Sequence, residues 1–333
     1  MLSHRKKRKR IAVCVLMVLL AVVFIFMAGR MGTAFMKKRA ENTAKSAETE
    51  DLDTIQVDGK SYCRKRHLKT YLVMGIDKAE SSQSFTNINN QQTDFNALVI
   101  SDLQDESFCI LYLNRDTMTD VPVLALDGTP YTTSYQQLAL AHTYGSGMED
   151  SCENTVNTVS ALLDGVTVDH YAAFYLDAIG VLNDAVGGVT VTIEDDFSEN
   201  DPTLIMGETI TLNAEQAEHY VRSRMDVADG TNLNRMKRQM NYISTWAKQA
   251  SNKMAQNTSF AATLTEQLGT SIVTDLSIQQ ISDLAQVFEE YALTGTYQLE
   301  GEAVLGEEYM EYYLDEDELQ KTILQLFYEE EQK

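Results

Sequence analysis

Residues Ile11 to Gly29 form an unbroken run of 19 apolar or small side chains, without a charge or a proline. At ~1.5 Å per residue, a helix of that length spans roughly the ~30 Å hydrocarbon core of a bilayer. Six cations, Arg5 to Arg10, stand immediately before it. Positive flanks stay in the cytoplasm, so the pattern predicts a basic cytoplasmic tail (1–10), one transmembrane helix (11–29) and everything later outside the cell. A cleavable signal peptide would have a shorter apolar stretch, about 7–15 residues, and a small-residue cleavage site. The run here is longer, and no clear site follows it. The expected location is therefore the cell membrane, single-pass, with the C-terminal domain extracytoplasmic.

Charge divides the chain at the same place. Of 27 basic and 49 acidic residues, ten basic and no acidic ones precede residue 41, which leaves 17 against 49 and a net charge of −32. A domain so acidic repels nucleic acid unless its cations are concentrated locally. Cys14 lies in the apolar run, leaving Cys63, Cys109 and Cys152 outside. Three is odd, so at least one thiol is free, and the absence of C-x-x-C argues against structural zinc.

Residues 30–61 lack apolar periodicity and read as an extracytoplasmic linker. The remaining 62–333 is long enough for one large α/β domain. Tyr71–Ile76, Phe95–Asp102, Phe108–Leu113 and Gly188–Ile193 predict strands. Cys152–Leu163, Asp177–Val186 and Asn213–Val221 predict helices between them. Gly187-Gly188 predicts a tight helix-to-strand turn. Such alternation favours a sheet covered by helices. The later part, 250–333, reads as helical, with amphipathic stretches at Ile278–Tyr291 and Leu314–Glu330, the latter opened by an Asp315/Glu318 start signal.

Only five arginines follow residue 67: Arg115, Arg222, Arg224, Arg235 and Arg238, four of them within 17 residues. Clustered guanidinium forks suit phosphate, although they also suit neighbouring carboxylates. Arg222 and Arg224, two apart beyond a helix ending near Tyr220, would face one side in extended chain. Asp77, Asp94 and Asp116 fall at predicted strand ends, where loops carry chemistry. Carboxylates beside a phosphate site are candidate ligands for a hard divalent ion such as Mg2+ or Mn2+. Of five dispersed histidines, only His142 is near a glycine-rich turn and so a candidate substrate contact. No P-loop, G-x-S-x-G or H-E-x-x-H is present.

In order, V-M-G-I-D (73–77), T-D-F-N-A-L-V-I (93–100), N-R-D-T (114–117), L-N-D-A-V-G-G-V-T-V (182–191), L-N-A-E-Q-A-E-H-Y-V-R-S-R (212–224) and N-R-M-K-R-Q (234–239) resemble the motifs of the LytR-CpsA-Psr family of Gram-positive envelope proteins. The resemblance covers about 70–245. It implies an α-β-α layered domain around a central mixed sheet. It further implies transfer of a glycan phosphate from a polyprenyl-pyrophosphate-linked precursor to a peptidoglycan hydroxyl. Carried over by position, Asp94, Arg115 and Asp116 are catalytic, and Asp77, Asp94 and Asp116 are metal ligands. Arg115, Arg222, Arg224, Arg235, Arg238 and Gln239 are pyrophosphate contacts. Three departures stand out: Gln92-Thr93-Asp94 replaces R-S-D, Asn232 replaces an aspartate, and Asn114 replaces the proline usual before R-D. They leave open a non-catalytic glycan-lipid-binding scaffold or a polyprenyl-pyrophosphate hydrolase. The family's older label of transcriptional attenuator does not suit so acidic an extracytoplasmic domain.

Overall fold

The computed structural model describes residues 54–78, 88–223, 232–257, 260–277, 291–307 and 309–331, together with Val227 and Gln280. The expected membrane span 11–29 lies outside the described residues, and among these no helix is long and apolar enough to cross a membrane.

A mixed sheet forms the centre. Its strands are β3 (Leu68–Ile76), β4 (Thr93–Asp102), β5 (Ser107–Leu113), β8 (His170–Phe174), β11 (Ile272–Thr274) and β12 (Ala292–Gln298). Among the described residues their order is β11-β8-β3-β4-β5-β12, with β3/β8 and β5/β12 parallel and the other pairs antiparallel. Side chains alternate across a strand, so β3 sends Tyr71 and Val73 to one face and Leu72 and Met74 to the other. All four are buried, which explains why this strand reads as continuously apolar.

Helices cover both faces. The first face meets α2 (Asp177–Ala185), α3 (Ala214–Arg222), α4 (Asn232–Gln256) and α5 (Phe260–Leu268), through residues such as Ala217, Met236, Trp246 and Leu264. The second meets α1 (Glu149–Leu162) and α6 (Glu316–Phe327) through Val159, Leu319 and Ile323. The expected α-β-α layering is present. The turn after α2 needs its glycine: Gly188 has φ +89°, and a Cβ there would lie 2.6 Å from Thr211 Cγ2 and 2.7 Å from the Leu212 carbonyl.

Two expectations are corrected. The supposed linker already contains β1 (Thr54–Val57) and the start of β2 (Lys60–Arg64). β1 pairs with β2, and β2 also pairs with β15 (Tyr328–Glu330) at the far end of the chain, a partner that local composition does not reveal. The supposedly helical 250–333 holds α5 and α6 but also β11, β12, a hairpin of β13 (Gly301–Leu305) and β14 (Met310–Leu314), and β15. β12 alternates in exposure along its length and docks in parallel on β5, so long-range pairing decides its state. Most of the amphipathic stretch Ile278–Tyr291 lies outside the described residues. The stripe on α6 is as expected, with Asp315 accepting a hydrogen bond from the Glu318 amide at 3.1 Å.

Two further ribbons matter below. β6 (Met118–Leu124) pairs with β7 (Pro130–Gln137), and the two-stranded β9 (Thr190–Thr192) and β10 (Thr209–Thr211) precede α3.

Candidate active site

One edge of the sheet gathers the ends of three strands. β3 finishes at Ile76 with Asp77 next, β4 starts at Thr93, and β5 finishes at Leu113, two residues before Arg115. Gly75 pairs with Phe95 and Ile76 with Thr93, so Asp94 is a bulged residue without a partner on β3. A bulge re-aims a side chain, and here it offers Asp94 to solvent at the edge.

Two arginines converge on that carboxylate. Arg115 donates from Nη1 to Asp94 Oδ1 and from Nη2 to Gln92 Oε1 at 2.7 Å. Its Nε lies 3.3 Å from Asp116 Oδ1. Arg235, near the start of α4, donates from Nη1 to Asp94 Oδ2 at 3.0 Å and from Nη2 to the Asp94 carbonyl at 3.4 Å. Both guanidiniums are largely buried, which strengthens the charge-assisted bonds. Asp116 is itself buried, and Gln137 Nε2 lies 3.4 Å from its Oδ1.

Arg222 is the last residue of α3, a helix begun by a capping box between Asn213 and Gln216. It therefore lies in a helical turn and not in the extended chain expected from the sequence. It donates to Glu218 Oε1 at 2.6 Å and to Asp77 Oδ1 at 3.0 Å. Burial opposes its charge, but these two carboxylates outweigh burial and raise its pKa. Arg224 lies outside the described residues.

Arg238 is placed differently. Its Nε donates to the Tyr220 carbonyl at 3.2 Å, Nη1 to Asp195 Oδ2 at 2.8 Å and Nη2 to the Ser223 carbonyl. The guanidinium carbon also sits 5.4 Å from the centre of the Phe197 ring. The residue ties the end of α3 to α4 and does not line the cavity described next. Gln239 does line that cavity, while its Nε2 donates to the Val221 carbonyl at 3.2 Å.

Beside Asp94 opens a cavity of about 150 Å³ between the sheet and the helices α2 and α4. Its walls include Phe95, Phe174, Ile179, Leu182, Tyr242 and Trp246. The hydroxyl of Tyr242 and the indole N–H of Trp246 are turned to Asn183 and to the Leu182 carbonyl, so apolar ring surface faces the space. Asp94, Arg222 and Gln239 supply the charged and amide lining. An apolar slot with such a rim suits an amphiphile carrying an anionic head.

Of the expected metal ligands, Asp94 lines the cavity, while Asp77 pairs with Arg222 and the buried Asp116 with Arg115. Among the described residues no three or more His, Cys, Asp or Glu side chains form a group able to hold a metal ion. The donors do not suit an all-protein cage. They suit a magnesium ion carried on phosphate oxygens, which needs only one or two carboxylates.

His142 is not a substrate contact. It is fully buried, with Nδ1 2.9 Å from the Gln91 carbonyl and Nε2 3.6 Å from Cys152 Sγ. Burial lowers its pKa to about 4. Cys63, Cys109 and Cys152 are all free thiols, and burial pushes the Cys109 thiol up to about 12. Two contributors escaped the sequence reading. In the sequence Gln92 is only a departure from the family motif, yet its Oε1 accepts from Arg115 Nη2. The cavity wall had one available signal, the aromatic pair Tyr242 and Trp246 one turn apart on α4.

Comparison with known proteins gives a consistent picture. The chain is similar to the polyisoprenyl-teichoic acid–peptidoglycan teichoic acid transferase TagU of Halalkalibacterium halodurans, 26% identical over 233 residues, which cover 67% of this chain and 68% of that protein. Its fold matches the protein gbs0355 of Streptococcus agalactiae with a TM-score of 0.63 at 23% identity, over 79% of this chain and 90% of the other. It also matches TagT bound to LIIa-WTA with a TM-score of 0.57 at 22% identity, over 78% and 90%. The LytR_cpsA_psr model matches residues 25–327, nearly the whole span that the strands and helices above occupy. The chain belongs to the LytR_cpsA_psr family.

Proposed function

We propose that this chain transfers a glycan phosphate from a polyprenyl-pyrophosphate-linked precursor to a hydroxyl of peptidoglycan, at the outer surface of the membrane to which residues 11–29 anchor it. The observation that carries this reading is the apolar cavity opening beside the Asp94–Arg115–Arg235 cluster. The relative named as a teichoic acid transferase supports the same reaction class.

The polyprenyl chain enters the cavity along Phe95, Phe174 and Trp246, where water is excluded and apolar area is buried. Its pyrophosphate lies at the rim. There Arg115 and Arg235 turn N–H groups from Asp94 to phosphate oxygens, and Arg222, with Arg224, faces the same anion. The acceptor hydroxyl oxygen then bonds to the phosphorus next to the glycan. The bond from that phosphorus to the bridging oxygen breaks, and polyprenyl phosphate leaves with the electron pair. The hydroxyl proton passes to the Asp94 carboxylate. Gln92 and Asp116 keep Arg115 in position throughout. Asp77, with Asp94 and Asp116 behind it, would hold a magnesium or manganese ion arriving with the donor, and that ion would neutralise phosphate charge.

The test is competition for the full-length chain between a long-chain polyprenyl pyrophosphate and inorganic pyrophosphate. The long-chain compound should bind at least about tenfold more tightly, and Trp246→Ala should remove most of the difference. Equal affinity for both would overturn the assignment of the cavity.

A further inference from the structure

The ribbons β6–β7 and β13–β14 join each other directly at the site. The Tyr312 amide on β14 donates to the Asp116 carbonyl at 2.9 Å, and Thr117 bridges to Tyr312. Gln137, the last residue of β7, donates from Nε2 to the Met310 carbonyl at 2.6 Å. β6 therefore begins where the loop 114–117 ends, and β14 docks on that loop through Tyr312.

Their outward surface is unusually aromatic. Tyr131 is 81% exposed, Tyr309 67%, Tyr135 58% and Tyr313 40%. Tyr135 lies in the regular part of β7, Tyr131 sits at the bulge where the β6/β7 register shifts, and Tyr313 and Glu311 share a face of β14. The Gln137–Met310 and Tyr312–Asp116 hydrogen bonds hold the two ribbons side by side. Exposed aromatics grouped in this way mark an interaction site, because leaving flat apolar rings in water is unfavourable. Tyrosine suits a partner with one apolar and one hydroxylated aspect, since the ring stacks while its hydroxyl stays wet.

Charge selects among partners. Residues 118–137 and 301–314 contain no Lys or Arg and carry two and four acidic residues respectively. A polyanionic glycan, an anionic lipid surface or a nucleic acid would be repelled. An uncharged sugar chain would not be, and pyranose faces stack on tyrosine rings.

We propose that the tyrosines of β6–β7 and β13–β14 form a platform for an uncharged glycan strand, the acceptor of the reaction above, and lead its hydroxyl to Arg115 and Asp94. This inference rests on the proposed transfer for the identity of the strand. The platform lies on the Asp116 side of the cluster and the lipid cavity on the α4 side, so donor and acceptor approach from different directions.

The experiment uses the full-length chain in detergent. Co-sedimentation with purified peptidoglycan stripped of anionic polymers is measured beside titration with an uncharged N-acetylglucosamine oligomer. The variants are Tyr131→Ala/Tyr135→Ala and Tyr131→Phe/Tyr135→Phe, and binding of polyprenyl pyrophosphate is recorded in parallel. The alanine pair should lose glycan binding about tenfold or more while polyprenyl pyrophosphate binding is unchanged, and the phenylalanine pair should retain most glycan binding. Equal binding by wild type and the alanine pair would overturn the platform, as would preferential binding to anionic vesicles or self-association lost in the same variants. Loss of polyprenyl pyrophosphate binding in wild type would instead remove the donor assignment and leave the glycan surface standing on its own measurement.

Discussion

Arg235 Nη1 lies 3.0 Å from Asp94 Oδ2, joining residues 141 positions apart on α4 and on the bulge of β4. Arg115 holds the other oxygen of the same carboxylate. Surface ion pairs contribute little, but here one acid orders two buried forks at the rim of an apolar cavity. The arrangement holds both guanidiniums aligned on one carboxylate.

The planar fork should therefore matter more than the charge. Arg115→Lys and Arg235→Lys should each lower transfer activity about ten- to hundredfold with an unchanged circular dichroism spectrum. Arg238→Lys and Arg238→Ala act elsewhere. The alanine variant should lose about 2–4 kcal/mol of stability in urea unfolding, because it strips partners from Asp195 and from two carbonyls near the end of α3. Arg222→Ala should cost within ~1 kcal/mol, since its ion pairs are half exposed. An Arg238 variant as stable as wild type would contradict the positioning role.

Acid should weaken the fold through His142. Its pKa falls from the ordinary 6.5 to about 4 because burial disfavours the imidazolium. Between those values the unfolded chain binds the extra proton, so stability is full above about pH 6.5 and is lost as pH falls toward 4. The loss attributable to this group is on the order of 3 kcal/mol. Urea midpoints at pH 7 and pH 4.5 should differ less in His142→Asn than in wild type. The same pH dependence in both would exclude His142 as its source.

The anchor carries its own expectation. The chain should fractionate with membranes, and protease added to intact cells should digest residues 62–333. Protection of that domain, or full release into the medium, would contradict the proposed topology.

How much was visible in the sequence depended on the range of the interactions. β3, β4 and β5 announced themselves because strands buried on both faces read as apolar runs. Asp315 announces its helix through capping, a local device. The arginine cluster was visible as composition, but its division of labour was not. Arg235 and Arg238 are one turn apart on α4, yet one reaches Asp94 and the other Asp195, a choice made by the packing of α4 on α3 and the sheet. β12 and β15 are not legible because their partners lie far along the chain, and β1 because it is a short, half-exposed strand paired only with its neighbour β2. The bulge that isolates Asp94 depends on strand register, which no single segment encodes.

The most direct measurement follows both products from one labelled donor. Full-length chain, a polyprenyl-pyrophosphate-linked glycan, peptidoglycan and magnesium are combined, and glycan on peptidoglycan is counted against polyprenyl monophosphate released. The account predicts equal amounts of the two, with Asp94→Ala losing both at least about hundredfold. Polyprenyl phosphate released without glycan reaching peptidoglycan, or donor bound with no turnover at all, would contradict it.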